Sequence, residues 1–420
     1  MKDIVYWIWL SLCCTPDTST FPKLIAKFGD AQSIYEATDK EISSCIGHNT
    51  SDRSALLKRN MDDAQKVYEF CVKHKVGIVT YASDEYPKSL KDIPTPPVLL
   101  YYRGKLPDFN KSFMVATVGT RTLSDYGRNA AFRISYDLAL AGATIVSGMA
   151  IGIDSVALAG ALSAGKSVVA VIGSGIDICY PSGHLTLARE IVKEGCVLTE
   201  YAPGTPPGRF NFPKRNRIIS GLSSATLVVE GKEKSGALIT ARYAKEQGRV
   251  VYALPGNVGS PNSEVTNLLI KNGARLCTCA DDIVKDFDKS LPGVLNPFAL
   301  KNGITYDVTG ALTKYSVIAV CPSDDIFTPP RPKRKVIDKA SNKDENIDAG
   351  KSKDTSNVPG DDFDPRAIAL YKKIPSDGAC SIESLVDDTT SMREVMKLLL
   401  KLEVGKFIVM LPGDSVARKA

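Results

Sequence analysis

Histidine is almost missing from this chain: His48, His74 and His184 are the only three in 420 residues. A histidine-rich metal centre is therefore excluded. No Ser/His/Asp order and no pair of neighbouring carboxylates marks a reactive constellation, which favours binding over catalysis. Ten cysteines are present, but the only close pairs, Cys13-Cys14 and Cys277-x-Cys279, lack zinc-ligand spacing. Cys179 and Cys196 lie inside apolar runs, as reduced, buried thiols of a cytoplasmic protein do. Long apolar runs are also missing. Ile4–Cys14 is too short to span a bilayer, Asp3 offsets the charge of Lys2, Leu12 is too large for a lipoprotein cleavage site, and Pro16-Asp17 soon ends the run. That segment reads as a first buried helix. The chain is thus expected to have no membrane span, no metal, no cofactor and no catalytic residue.

What is present is the composition of an ordinary globular protein, with 44% hydrophobic and 24% charged residues, long enough for two or three domains. Over residues 1–85 apolar residues such as Trp7, Leu10, Leu24, Phe28, Ile34, Ile42, Leu56 and Val67 recur at helical spacing, broken by Pro16, Pro22, Gly29 and Gly47. This predicts a small all-helical domain. From 98 to 285 apolar strands alternate with Gly-rich turns and amphipathic helices. Strands are expected at 98–102, 113–118, 144–146, 167–172, 197–199, 226–229 and 249–253. Continuous β-branched runs between helices argue an α/β fold with a parallel, doubly wound sheet. Residues 286–363 read as a largely disordered linker, because 328–362 contain no aromatic residue. Residues 364–415 read as three short helices (368–374, 382–386 and 392–402) and a strand at 407–413, the outline of a winged-helix domain. Its third helix carries Arg393, Lys397 and Lys401 beside Glu394 and Glu403, a near-neutral face that argues against a regulator of double-stranded DNA.

The net charge is only +6, but residues 201–250 hold nine Lys/Arg against three acids and so account for the whole excess. Within them, Arg209-Phe210-Asn211-Phe212-Pro213-Lys214-Arg215-Asn216-Arg217 mixes cations, aromatics and amides. Cations neutralise phosphates, and aromatic faces accept unstacked bases at ~1–3 kcal/mol each. Read as a loop, it is one of four at the carboxyl ends of strands. The others are Val118–Ser124, Ser147–Ser155 and Glu230–Thr240, each running through small residues into a helix start. A fifth string, Gly160–Ser167, matches the phosphate-binding pattern GxxxxGK[ST]. There the order is reversed: a helix leads in and a strand leads out, so Gly165 reads as a helix C-cap rather than a phosphate cradle.

Val118–Ser124, Ser147–Asp154, Val171–Asp177, Tyr180-Pro181, Phe212–Arg217, Ser235–Ala241 and Pro255-Gly256, in this order, resemble the DprA (Smf) family of bacterial DNA-processing proteins. The resemblance implies a helical domain of the sterile-alpha-motif or helix-hairpin-helix type, an extended Rossmann core and a C-terminal winged helix. It also implies a cytoplasmic, non-enzymatic homodimer. Such a protein binds and protects single-stranded DNA in natural transformation and loads the RecA recombinase. DNA contacts carried over by the resemblance are Gly119, Thr120 and Arg121 in the first loop, then Ser147 and Gly148 in the second. Arg209, Phe212, Lys214, Arg215, Asn216 and Arg217 follow in the third, and Ser235, Gly236 and Thr240 in the fourth. Cations and helix N-termini would take phosphates, and Phe212 a base or sugar. Two departures stand out: Thr120 occupies a position where many members have Ser, and Cys13–Thr18 lacks the Gly-Ile-Gly hairpin common there. The alternative is a Rossmann-like nucleotide hydrolase of the phosphoribohydrolase kind, with Glu230 or Glu233 as base, although the glycine run of those enzymes is absent from Glu230–Thr240.

Overall fold

Apolar residues at helical spacing build six N-terminal helices: α1 (Asp3–Cys13), α2 (Thr20–Phe28), α3 (Ala31–Glu36), α4 (Asp39–Ile46), α5 (Thr50–Lys58) and α6 (Asp62–Lys73). Helix α1 buries Val5, Trp7, Ile8, Trp9 and Leu10, and α3, α5 and α6 pack on it. Gly29, at φ 86°, ends α2 and returns its N–H to the Ile25 carbonyl. This is a computed structural model. It describes residues 3–300 except 47–49, 234 and 292, then 306–316 and 327. In the C-terminal part it describes 364–375, 379–381, 385, 394, 395, 398, 399, 402, 407–411 and 415–418.

The helical part ends at Lys73, short of the expected boundary at 85. Gly77–Thr80 instead forms a strand, β1, antiparallel to β2 (Leu99–Gly104), with Gly77 opposite Tyr102. A short helix α7 (Lys88–Lys91) lies between them. The sheet continues with β3 (Met114–Val118), β4 (Thr144–Ser147), β5 (Val168–Val171), β6 (Cys196–Thr199), β7 (Ala225–Val228), β8 (Val250–Ala253) and β9 (Arg275–Leu276). The order across it is β1-β2-β6-β5-β4-β3-β7-β8-β9. From β6 to β9 neighbouring strands are parallel, and β2 meets β6 antiparallel. Strands β3, β5, β6 and β7 are buried throughout, as a sheet with covered faces requires. Helices α8 (Asp125–Leu140), α9 (Ile153–Ser163), α10 (Leu185–Glu194), α11 (Asn211–Leu222), α12 (Gly236–Glu246), α13 (Glu264–Lys271) and α14 (Ala280–Phe287) connect the strands. This is the expected Rossmann-like α/β core. The chain runs outward from β3 through β4, β5 and β6, then returns to the other side of β3 for β7, β8 and β9. The strand order reverses beside β3, which opens a crevice at the carboxyl ends.

The segment expected to be a linker from residue 286 begins as part of this core. Asn296 donates its N–H to the Ala141 carbonyl at 2.8 Å, and the Tyr306 hydroxyl donates to Asp137 at 2.7 Å. Helix α15 (Val308–Ser316) packs on α9, with Tyr315 buried. Aromatic anchors at 306 and 315 supply the burial that composition over the whole segment concealed. Residues 292, 301–305, 317–326 and 328–363 of that linker lie outside the described residues.

The C-terminal unit holds helix α16 (Pro365–Lys373), capped by Asp364, and the antiparallel strands β10 (Ala379–Ser381), β11 (Ile408–Leu411) and β12 (Ser415–Arg418) in the order β10-β12-β11. Leu370, Tyr371, Leu385, Val395, Leu399, Leu402, Ile408 and Val416 form its core. The first helix and the strand at 407–413 stand where the winged-helix reading put them. The described residues 394, 395, 398, 399 and 402 of the third helix are helical. Apart from Leu385, the second helix, 382–386, lies outside the described residues.

The phosphate-loop lookalike is the end of α9. Gly165 follows the helix at φ 67° in open surroundings. A Cβ on Gly160 would stand 2.5 Å from the Phe132 carbonyl oxygen of α8. Gly160 therefore serves helix contact, not nucleotide binding. Gly160→Val is expected to destabilise the protein by about 1–3 kcal/mol through overpacking, while Lys166→Ala on the exposed surface changes stability by less than about 0.5 kcal/mol. Urea denaturation of the two variants checks this.

Candidate nucleic-acid interface

The carboxyl ends of β3, β5, β6 and β7 surround a cleft of about 660 Å³ whose lining includes Gly119, Thr120, Arg121, Arg209, Phe212, Arg215, Asn216, Ser235, Gly236 and Thr240. Ten of the fourteen expected residues thus meet at one place. A smaller notch beside it joins Gly148 to Arg121 and Phe212.

The stretch 209–217 is not the loop expected of it. Only Arg209 and Phe210 precede α11, and Pro213 sits in the helix's first turn, where a missing N–H costs nothing. Helical periodicity then sorts the side chains by face. Phe212 and Asn216, four apart, face the cleft. Arg215, Ile218, Ile219 and Leu222 turn inward and are buried. Lys214 and Arg217, three apart, face the N-terminal helices: Lys214 Nζ donates to the Pro16 carbonyl at 3.0 Å, and Arg217 Nε lies 3.5 Å from Asp17 Oδ1.

Arg217 is 1% exposed and donates from Nη2 to Glu200 Oε2 at 2.6 Å. Burial pushes the Glu200 carboxyl above the usual carboxylate range, and Arg217 pulls it back down. Asp17 also accepts from Thr95 at 2.7 Å and Tyr243 at 2.8 Å. Arg217 therefore fastens the helical domain to α11 and presents nothing to the cleft. Ser147 is corrected likewise: fully buried, it donates to the Thr117 carbonyl at 2.7 Å and ties β4 to β3. Lys214 is turned from the cleft by its bond to Pro16.

Arg215 is the cleft's buried floor. Its Nη1 donates to the carbonyls of Gly148, at 2.8 Å, and of Val171, so it bridges the ends of β4 and β5. Burial lowers its guanidinium to about 10, with Asp154 pulling it back up. Burial raises the Asp154 carboxyl, against the pull of Arg215. Asp154 accepts from the Gly148 N–H at 3.1 Å. A Cβ on Gly148 would meet both Arg215 and Asp154 at 2.5 Å, so any larger residue would have to displace this pair.

With Arg215 and Asp154 set against each other below the surface, the charged side chains left to line the cleft among the described residues are Arg121, Arg209 and Lys232, all exposed and all positive. Arg121 lies over the Phe212 ring at 5.7 Å and Arg209 over the Phe210 ring at 4.5 Å. Phe210 itself is 66% exposed. The N-terminus of α12 opens onto the cleft at Ser235 and Gly236, and the buried Ser235 Oγ has no hydrogen-bond partner among the described residues. The Thr120 hydroxyl accepts from the Thr122 N–H at 3.2 Å and shapes the first loop. Lys232 and Tyr180 line the cleft without having been singled out as contacts. The local charge excess already contained Lys232, and Tyr180 stood in a motif string.

Glu230, the base of the hydrolase reading, is buried and turned away from the cleft. It accepts from Ser124 Oγ at 2.5 Å and the Ser124 N–H at 3.0 Å, at the start of α8, where a carboxylate complements the helix dipole. Glu233 is exposed. Among the described residues no group of three or more His, Cys, Asp or Glu is placed to hold a metal, and no helix is long and apolar enough to cross a membrane.

Removing Arg217 leaves the buried Glu200 carboxylate without its partner, so Arg217→Ala is expected to cost about 3–5 kcal/mol. Arg121→Ala should stay within about 0.5 kcal/mol of wild type. Equal urea midpoints for the two variants would contradict this division of roles.

Residues 77–288 match the family model described as DNA recombination-mediator protein A. The chain is 38% identical over 281 residues to DNA processing protein DprA of Bacillus subtilis, an alignment covering 66% of this chain and 94% of that one. It is 42% identical over 210 residues to protein Smf of Escherichia coli, covering 50% and 56%. The X-ray structure of DNA processing protein A from Streptococcus pneumoniae superposes with a TM-score of 0.61 at 33% identity, covering 68% of this chain and 99% of that one.

Proposed function

The chain belongs to the family of DNA recombination-mediator protein A, and we propose that its cleft binds single-stranded DNA irrespective of sequence, protects it, and presents it to a RecA-type recombinase in the cytoplasm during natural transformation. The observation that carries this is one cleft rimmed by Arg121, Arg209 and Lys232 beside the aromatic faces of Phe210 and Phe212. The cations take phosphates with release of counterions. The α12 N-terminus adds N–H donors and the positive end of its dipole. Bases splayed from the strand stack on the aromatics, and a duplex cannot offer its bases in that way. No bond-breaking step is assigned.

With three phosphate-binding cations, log K for a labelled single strand is expected to fall with log salt with a slope of about −2. Fluorescence anisotropy across a salt series measures it. The triple variant Arg121→Ala/Arg209→Ala/Lys232→Ala should flatten the slope and abolish tight binding, and duplex competitor should displace little. A salt-independent affinity, or full binding by the triple variant, overturns the assignment.

The protein acts in this reading as a homodimer. Strand β9 is the outermost of the sheet, and both its residues are exposed. Leu268 is 46% exposed on α13, and Leu276 is 52% exposed on β9. An open edge with apolar side chains is the kind that a second chain covers. Leu276→Glu is expected to halve the mass measured by light scattering while far-ultraviolet circular dichroism stays unchanged. A mass equal to wild type places the contact elsewhere.

A further inference from the structure

At the rim of the cleft Ile151 is 56% exposed and Tyr180 39% exposed. Both line a notch of about 40 Å³ with Arg121, Pro181 and Phe212. The Tyr180 and Phe212 rings lie 5.4 Å apart at 34°, so one face of Tyr180 leans on Phe212 and the other is turned from it. The notch is too small to take a nucleobase inside it.

Ile151 stands on a loop fastened on both sides. Gly148 before it is gripped by Asp154 and Arg215. Met149 adopts φ 54°, and its carbonyl meets His184 Nδ1 at 3.0 Å. After Ile151, Gly152 takes φ 95° with its Cα against the first loop, where a Cβ would collide with the Thr120 carbonyl, and the Ile153 N–H donates to that carbonyl at 3.2 Å. A left-handed non-glycine residue persists only where its surroundings over-determine it. The outcome is a stiff, β-branched apolar side chain held out beside an exposed aromatic ring at the mouth of a cationic cleft. Single exposed apolar residues need no explanation, but a fixed apolar tip beside a stacking face matches the wedges with which proteins part neighbouring bases.

We propose that Ile151 and Tyr180 form a base-parting subsite: one nucleobase of the bound strand stacks on Tyr180 while Ile151 enters the step beside it. The inference rests on the single-strand reading of the cleft and adds two contacts that act on bases and not on phosphates.

The test compares an oligothymidylate with an oligonucleotide of the same length built wholly from abasic sugar-phosphate units. The abasic strand keeps the phosphates and has no bases, so slipping of the strand along the protein cannot hide the effect. Wild type should bind the oligothymidylate more tightly. In Ile151→Ser and Tyr180→Ala that preference should shrink at least about fivefold each, with affinity for the abasic strand unchanged. Tyr180→Phe and Ile151→Leu, which keep ring and bulk, should restore it and guard against misfolding. Equal losses on both strands, or no loss on either, overturn the subsite. Wild type that binds neither strand instead overturns the single-strand reading beneath it.

Discussion

One buried cation organises this site. Arg215 ties the carbonyl ends of β4 and β5 together through Gly148 and Val171. A guanidinium taken out of water is costly unless paired and hydrogen-bonded. Here the partners are two carbonyls, the side chain of Asn216 at 3.1 Å, and the field of Asp154. The loop from Gly148 to Ile153 follows that grip, since Asp154 holds the Gly148 N–H and balances the charge. Because the pair offsets its own charge beneath the surface, the charge that the described residues present at the cleft is that of the exposed cations Arg121, Arg209 and Lys232. The floor supplies rigidity, and the rim supplies attraction.

Helix α11 distributes its work over three faces. One meets the cleft through Phe212 and Asn216, one enters the core through Arg215 and Ile219, and one meets the helical domain through Lys214 and Arg217. The segment Cys13–Thr18 docks on this third face, with Pro16 and Asp17 as its contacts. The first domain thus reaches the cleft indirectly, through the rigidity of α11, and needs no nucleic-acid contact of its own to matter to it.

The core strands and most of their connecting helices were legible because buried parallel strands are apolar throughout and periodicity separates them from helices. Three of the four strand-end loops were legible because glycine and capping residues must stand where backbone turns into a helix; the other, 209–217, proved to be mostly the start of α11. Strand β1 was not: Gly77–Thr80 is four residues long at the sheet edge, and its pairing with β2 depends on partners 19 to 25 residues away. Charge misled at Arg215 and Arg217. A cluster of cations reads as a surface feature, since lone charges are seldom buried. Their counterparts, Asp154, Glu200 and Asp17, come from three other segments, so only the fold reveals that these two arginines are consumed inside.

That consumption sharpens the chemistry of the cleft. Of the cations in 209–217, one lines the mouth, one points to the neighbouring domain and two are interior. The exposed cations described at the cleft come instead from three loops: Arg121 after β3, Arg209 before α11 and Lys232 after β7. Cations drawn from separate loops are spaced by the sheet and not by one helix. Such spacing suits successive charges along an extended polyanion better than a single compact anion, and it sets aromatic surface among the cations: Arg121 and Tyr180 lie against Phe212, and Arg209 against Phe210.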